Sequence, residues 1–317
     1  MTSRYARFAL IAAQVVAIGA AAWFLIHIAR EAWPSLARFR IAPAPLPLLA
    51  ASLLTAVTYF FLVWTWIASL RWWSQHLAYR DAVNMWFLTN LARFIPGTIW
   101  QFAGLGVMAS RRGVSALAAT GSVLLQQVVL LATGLLLTVA LAPDLLGAWT
   151  TAVPHGVLLA IAVTGAVVFV WGFPRVAGWL RVFAVRVLKR ELVWPAPPVR
   201  QFAAYVVALV LPWPAYGVAF WLFGRSLLGA AAPGLMLSIA AFTASYVAGI
   251  IAVVAPGGIV VREAALVAAL SPHVGPDHAF LLAVGSRVWL VAVELVTALI
   301  ALAAVHMAAR AIPPERT

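Results

Sequence analysis

The chain has 317 residues, 65% of them hydrophobic and only 9% charged. A soluble domain carries about a quarter charged residues, so this composition excludes one and points to a polytopic membrane protein. The net charge of +13 rests on 21 basic residues, all but one of them arginine. With so little polar sequence available, these read as loop arginines that orient the protein and meet anionic headgroups, not as a nucleic-acid surface.

The first element is an apolar run from Phe8 to Ile28 behind Arg4 and Arg7. It passes the small-residue stretch Gly19–Ala22 and continues through Trp23, too long for the core of a signal peptide, so we read an uncleaved first span. Full spans are expected at about 8–29, 47–70, 114–142, 156–173, 201–224 and 280–308, each near the ~20 residues a bilayer needs. Tryptophans at span ends (Trp23, Trp72, Trp73, Trp149, Trp171, Trp194) fit interfacial belts. The polar stretch from Pro174 to Arg200 is expected to be a loop.

Two further apolar regions, 82–110 and 235–271, are interrupted. The first holds Asn90 and Arg93, then Pro96-Gly97, then Trp100-Gln101; the second holds Pro256-Gly257-Gly258, then Arg262-Glu263. Proline removes a backbone donor and glycine loosens a helix. The freed polar groups persist at membrane depth only where protein or a water-filled cavity satisfies them. Each region is therefore a broken span or a re-entrant hairpin. The expected fold is an all-α polytopic membrane helical bundle forming one domain over 1–317. It has a first half of about 8–142, a second of about 156–308, about six full spans and two broken or re-entrant helical hairpins.

Arginines set the orientation. The 174–200 stretch carries Arg175, Arg181, Arg186, Lys189, Arg190 and Arg200 and is expected inside with Arg111 and Arg112. The 143–155 stretch lacks Lys and Arg and is expected outside. If 82–110 is a hairpin, residues 30–45 lie outside despite Arg30, Arg38 and Arg40; if it crosses, they lie inside. Pro96-Gly97 is followed about thirty residues on by Gln126-Gln127, and Pro256-Gly257 at a similar distance by Arg287. With both interruptions as hairpins, the first enters from inside and the second from outside. That is an inverted-topology repeat, which places a shared cavity near the midplane.

Buried charge marks the candidate site. Arg287 and Glu294 sit two turns apart on one face of the last span, and Arg262 and Glu263 follow the second interruption. A charge at bilayer depth costs at least ~2.5–3.5 kcal/mol, so such residues face a cavity or a partner. Arginine suits a phosphate, which Arg262 and Arg287 would bind while Glu263 or Glu294 balances the empty site or accepts a proton. The competing reading is a structural Glu263–Arg287 pair with Arg262 snorkelling. Arg93, with Asn90 one turn earlier, would add a second phosphate contact, or else anchor and cap the first hairpin. Gln101 would line the cavity. Gln126 and Gln127 point about 100° apart, so one of them at most faces the cavity and the other bonds a neighbouring helix. Pro96, Gly97, Pro256, Gly257 and Gly258 would turn backbone N–H groups inward.

The segments Asn90-Leu91-Ala92-Arg93-Phe94-Ile95-Pro96-Gly97-Thr98-Ile99-Trp100-Gln101, Arg111-Arg112-Gly113-Val114-Ser115 and Pro256-Gly257-Gly258-Ile259-Val260-Val261-Arg262-Glu263 resemble the lysylphosphatidylglycerol synthase transmembrane family. That family includes the flippase half of the bacterial multiple peptide resistance factor and many stand-alone proteins. The resemblance spans roughly 10–308 and implies a lipid-translocating or lipid-binding domain of the bacterial cytoplasmic (inner) membrane. Two departures qualify it. The soluble aminoacyl-transferase domain of the two-part enzymes is absent, so lysyl transfer is not expected. Gln126-Gln127 stands where members often carry Glu-Arg.

The leading expectation is a flippase-like transporter or lipid-binding protein for an anionic phospholipid or polyprenyl-linked glycan. The alternative is a non-transporting membrane partner of a glycosyltransferase or lipid-modifying enzyme, docked on the basic 174–200 stretch. Catalysis is not expected: eight acids are present, only Glu263 and Glu294 lie at depth, and no nucleotide loop, zinc helix or nucleophile elbow appears. No cysteine is present and the six histidines show no ligand pair at helical spacing, so no metal or cofactor is expected.

Overall fold

The computed structural model of the chain describes residues 42–91, 99–141, 154–188, 197–251 and 261–310, together with residues 19, 23, 26, 27 and 30. Every regular element among them is helical. In chain order these are α1 (Pro45–Leu70), a 3-10 turn (Arg71–Trp73), α2 (Tyr79–Leu91), α3 (Ile99–Ser110), α4 (Ala116–Leu141), α5 (His155–Leu188), α6 (Val199–Ala208), α7 (Pro212–Leu228), a second 3-10 turn (Gly229–Ala231), α8 (Leu235–Ile251), α9 (Val261–Val274) and α10 (Pro276–Arg310).

Five helical stretches are long and apolar enough to cross a bilayer: Pro45–Trp73, Ala116–Leu141, His155–Trp179, Val199–Ala231 and Pro276–Ala304. They coincide with five of the expected spans, and the chain is a multi-pass membrane protein with an all-helical fold. The expected first span, 8–29, falls almost wholly outside the described residues, as do Pro96-Gly97 and Pro256-Gly257-Gly258.

Local chemistry sets the helix ends. Pro45 and Pro212 occupy the first turns of α1 and α7, where a missing N–H leaves no hydrogen bond unmade. The α3–α4 and α9–α10 connections turn through Gly113 (φ 75°) and Gly275 (φ 81°), a left-handed conformation that glycine adopts without a Cβ clash.

Two elements differ from expectation. The span expected at 201–224 is interrupted at Leu209–Leu211, because Pro212 and Pro214 cannot donate into a continuous helix. The buried Leu209 carbonyl at this break accepts a hydrogen bond from Thr133 Oγ1 of α4 at 3.3 Å, so a neighbouring helix satisfies it. The second difference is the stretch after Pro174, which is not a loop at its start: α5 runs through Pro174 to Leu188. Proline deletes one backbone bond, and Arg175 reinforces the loosened turn, donating from Nη1 to the Trp171 carbonyl at 2.6 Å with its guanidinium over the Trp171 ring.

The core draws buried residues from α1 to α4 and from α6 to α10, while α5 runs along the edge. Of the described α5 side chains only Ala177 is buried. In hydrocarbon, helices associate through close packing and polar contacts rather than through a hydrophobic drive. Here Gly217 of α7 lies against the Ile239 backbone of α8, where an added Cβ would stand 2.5 Å from the Ile239 Cα. Gly134 of α4 likewise admits the Trp213 ring. Trp66 Nε1 donates to Ser122 Oγ (2.9 Å) and Trp213 Nε1 to Thr133 Oγ1 (3.1 Å), so these two buried indoles are satisfied between helices.

α1 packs on α7, α4 on α8, and α10 on α2, while α2 lies beside α3 and α8 beside α9. Thr89 and Gly104, about equally far from Pro96-Gly97 in sequence, face each other across α2 and α3, a Thr89 methyl 3.6 Å from where a Gly104 Cβ would stand.

Candidate functional site

Because α8 and α9 pack side by side, the first turn of α9 rests on α8. Arg262 Cζ stands 5.1 Å from the Phe242 ring centroid and 5.4 Å from that of Tyr246. Those two rings are one turn apart on α8 and form a platform for the guanidinium, a contact worth about 0.5–2 kcal/mol per ring. Its Nη2 is buried and has no hydrogen-bond partner among the described residues. A buried donor left in that state costs free energy unless a further acceptor is supplied.

The platform belongs to a longer aromatic belt. Phe242 stacks on Tyr216 of α7 at 6.0 Å, Tyr216 lies 6.1 Å from Tyr59 of α1, and Tyr59 lies 5.7 Å from Trp86 of α2. Rings from α2, α1, α7 and α8 thus connect the helices that precede the two Pro-Gly segments.

Beside Arg262, Glu263 reaches α10. Arg287 Nη1 donates to Glu263 Oε1 at 2.9 Å, and the two side chains are 11% and 20% exposed. Arg287, Tyr246, Glu263 and Tyr59 all lie within electrostatic reach of Arg262. Glu294 follows two turns further along α10 and is 1% exposed. Arg287 and Glu294 both fall well inside the apolar stretch Pro276–Ala304.

The remaining sequence-predicted residues divide. Asn90 is buried, in the last turn of α2. Gln101 lies in the first turn of α3, and its side chain is outside the described residues, as are Arg93, Pro96, Gly97, Pro256, Gly257 and Gly258. Gln126 is buried at the α1–α4 interface, where Nε2 donates to the Leu62 carbonyl (2.8 Å) and to Thr65 Oγ1 (2.7 Å); Gln127 is exposed. Arg112 pairs with Asp81 at 2.7 Å, joining the α3–α4 turn to the start of α2. The structure therefore brings Arg262, Glu263 and Arg287 together and uses Gln126 in helix packing.

Sequence reasoning missed the aromatic belt. Its signal was present: Tyr59, Tyr216 and Tyr246 sit within apolar helices, where a phenol is an unusual choice. Among the described residues no group of three His, Asp or Glu could hold a metal ion. Compared with protein-family models and with curated proteins, the chain matches none.

Proposed function

We propose that this chain is a flippase-like lipid transporter of a bacterial cytoplasmic membrane, a relative of the family its sequence resembles. It binds the phosphate of an anionic phospholipid or polyprenyl-linked glycan at Arg262 and Arg287 while the tails stay in the bilayer. The observation that carries the reading is Arg262: a guanidinium held over two rings, its buried Nη2 unmatched among the described residues and a second arginine close by. A phosphate oxygen supplies the acceptor that this donor lacks, and two arginines offset the cost of desolvating an anion.

The arrangement of the helices supports a transport role. We read the two halves as inverted repeats. α1, a 3-10 turn, α2, Pro96-Gly97, α3, Gly113 and α4 run in the same order as α7, a 3-10 turn, α8, Pro256-Gly257, α9, Gly275 and α10. The pairings α1 with α7, α4 with α8 and α10 with α2 are those a pseudo-two-fold axis generates. In this reading α2–α3 and α8–α9 are re-entrant hairpins entering from opposite faces, and the headgroup passes between them.

The test is reconstitution of the full chain into phosphatidylcholine vesicles, with fluorescent phosphatidylglycerol in one arm and a fluorescent polyprenyl phosphate in the other. Faster transbilayer movement in either arm, lost in Arg262→Met, is expected and identifies the lipid class. Rates equal to empty vesicles in both arms would refute the proposal.

A further inference from the structure

We infer that the Arg262 site selects lipids by charge: it takes a phosphodiester, which carries one negative charge, and discriminates against phosphomonoesters and zwitterionic lipids. The inference rests on the lipid reading above and narrows it to one substrate class, the phosphodiester of a glycerophospholipid or of a glycosyl phosphoryl polyprenol.

The charge around Arg262 carries it. Among the described residues, the groups within electrostatic reach of Arg262 are Glu263 on the same helix, Arg287 on α10, Tyr246 on α8 and Tyr59 on α1. The phenols are neutral. Glu263 gives its carboxylate to Arg287 at 2.9 Å, so the charges of that pair cancel. Arg262 keeps its charge, because the rings of Phe242 and Tyr246 lie against its guanidinium without neutralising it. Its buried Nη2 has no acceptor among the described residues. Glu294 stands about 10 Å further along α10 than Arg287, at 1.5 Å of rise per residue, and is not among the groups that reach Arg262. The site therefore presents one net positive charge and one unmet donor.

A singly charged oxyanion answers both. A phosphodiester oxygen accepts from Arg262 Nη2, and its charge brings the site to zero while Arg287 Nη1 stays on Glu263. A doubly ionised phosphomonoester leaves one negative charge over. A phosphocholine or phosphoethanolamine lipid leaves the positive charge unbalanced and brings an ammonium towards the arginines. Little water is present to screen the excess, since Arg287 is 9% exposed and Arg262 Nη2 is buried. An uncompensated charge in such surroundings is costly.

The experiment measures the Kd of three tail-labelled short-chain probes for the full chain in phosphatidylcholine nanodiscs at pH 5 and at pH 9. Phosphatidylglycerol and a glucosyl phosphoryl citronellol are phosphodiesters and keep one charge at both. Phosphatidic acid is a monoester, with one charge at pH 5 and a second gained by pH 9. The ratio of its Kd to that of the tighter phosphodiester therefore isolates the charge on the probe, and the two phosphodiester arms tell a glycerol headgroup from a sugar. In wild type this ratio should be within threefold of one at pH 5 and at least ten at pH 9. Glu263→Gln leaves two positive charges, and its ratio at pH 9 should fall at least tenfold below that of wild type. Glu263→Asp keeps the carboxylate and should keep the wild-type ratio. The wild-type values alone decide the matter if Glu263→Gln does not fold. A wild-type ratio near one at pH 9, or a folded Glu263→Gln with the wild-type ratio, overturns charge selection and leaves the lipid site standing. No binding of any probe at either pH overturns the lipid site itself, and this inference with it.

Discussion

The Glu263–Arg287 pair is the most exacting test of the charged cluster, because its two members lie on different helices and close the contact between α9 and α10. Charges 2.9 Å apart attract by about 6 kcal/mol at an effective dielectric constant of about 20. Desolvating both groups takes back several kcal/mol, which leaves a net coupling of about 2 kcal/mol. Removing one partner is costlier than the pair is valuable, since it strands the other charge. Arg287 is the more buried, with its side chain 11% exposed against 20% for Glu263. Glu263→Gln should therefore destabilise by about 3 kcal/mol and Arg287→Gln by about 2 kcal/mol. The double variant should be about as destabilised as Glu263→Gln alone, because the coupling is counted once in the pair and twice across the single variants. Steric trapping in bicelles gives the unfolding free energies of all four proteins. Additive single effects, with a coupling under about 0.5 kcal/mol, would show that the two side chains do not form a buried pair.

Three further outcomes follow from the packing. Gly217→Ala places a Cβ 2.5 Å from the Ile239 Cα; it should force α7 from α8 and cost about 1–3 kcal/mol in the same assay. Gln126→Leu removes two hydrogen bonds between α4 and α1; a loss of about 1 kcal/mol is expected, and unchanged stability would mean the amide carries no packing role. Asp81→Asn breaks the Arg112 pair, whose side chains are 53% and 22% exposed; about 0.5 kcal/mol is expected, falling as salt is raised.

The spans were legible because hydrocarbon runs near twenty residues long have few alternatives, and α1, α4, α5 and α10 fall where hydropathy puts them. The same signal hid the break before α7. Residues 201–224 average as apolar, yet Pro212 and Pro214 state the interruption directly, and Thr133 completes it from a helix that the local sequence does not name. It also ended α5 too early, since Pro174 followed by an arginine looks like a loop until the Arg175–Trp171 contact shows how the turn holds. Of the site, the Glu263–Arg287 contact was legible as one of two readings, because buried opposite charges seek each other. The aromatic belt was not, because it depends on which helices become neighbours: Tyr59 and Tyr216 are far apart in the chain and 6.1 Å apart in the fold. Gln126 shows the same dependence, since the direction of a polar side chain on a buried helix is set by the α1–α4 contact and not by its own spacing.

Native mass spectrometry of the intact protein tests the headgroup site most directly. Wild type, Arg262→Met and Arg225→Met are each purified from the membrane and challenged with phosphatidylglycerol and with a polyprenyl phosphate. Arg225 lies in the last turn of α7 and serves as a control for general loss of positive charge. Retention of one anionic lipid by wild type and by Arg225→Met, weakened at least tenfold in Arg262→Met, is the expected result. Equal retention by all three proteins, or none by wild type, would contradict a headgroup site at Arg262.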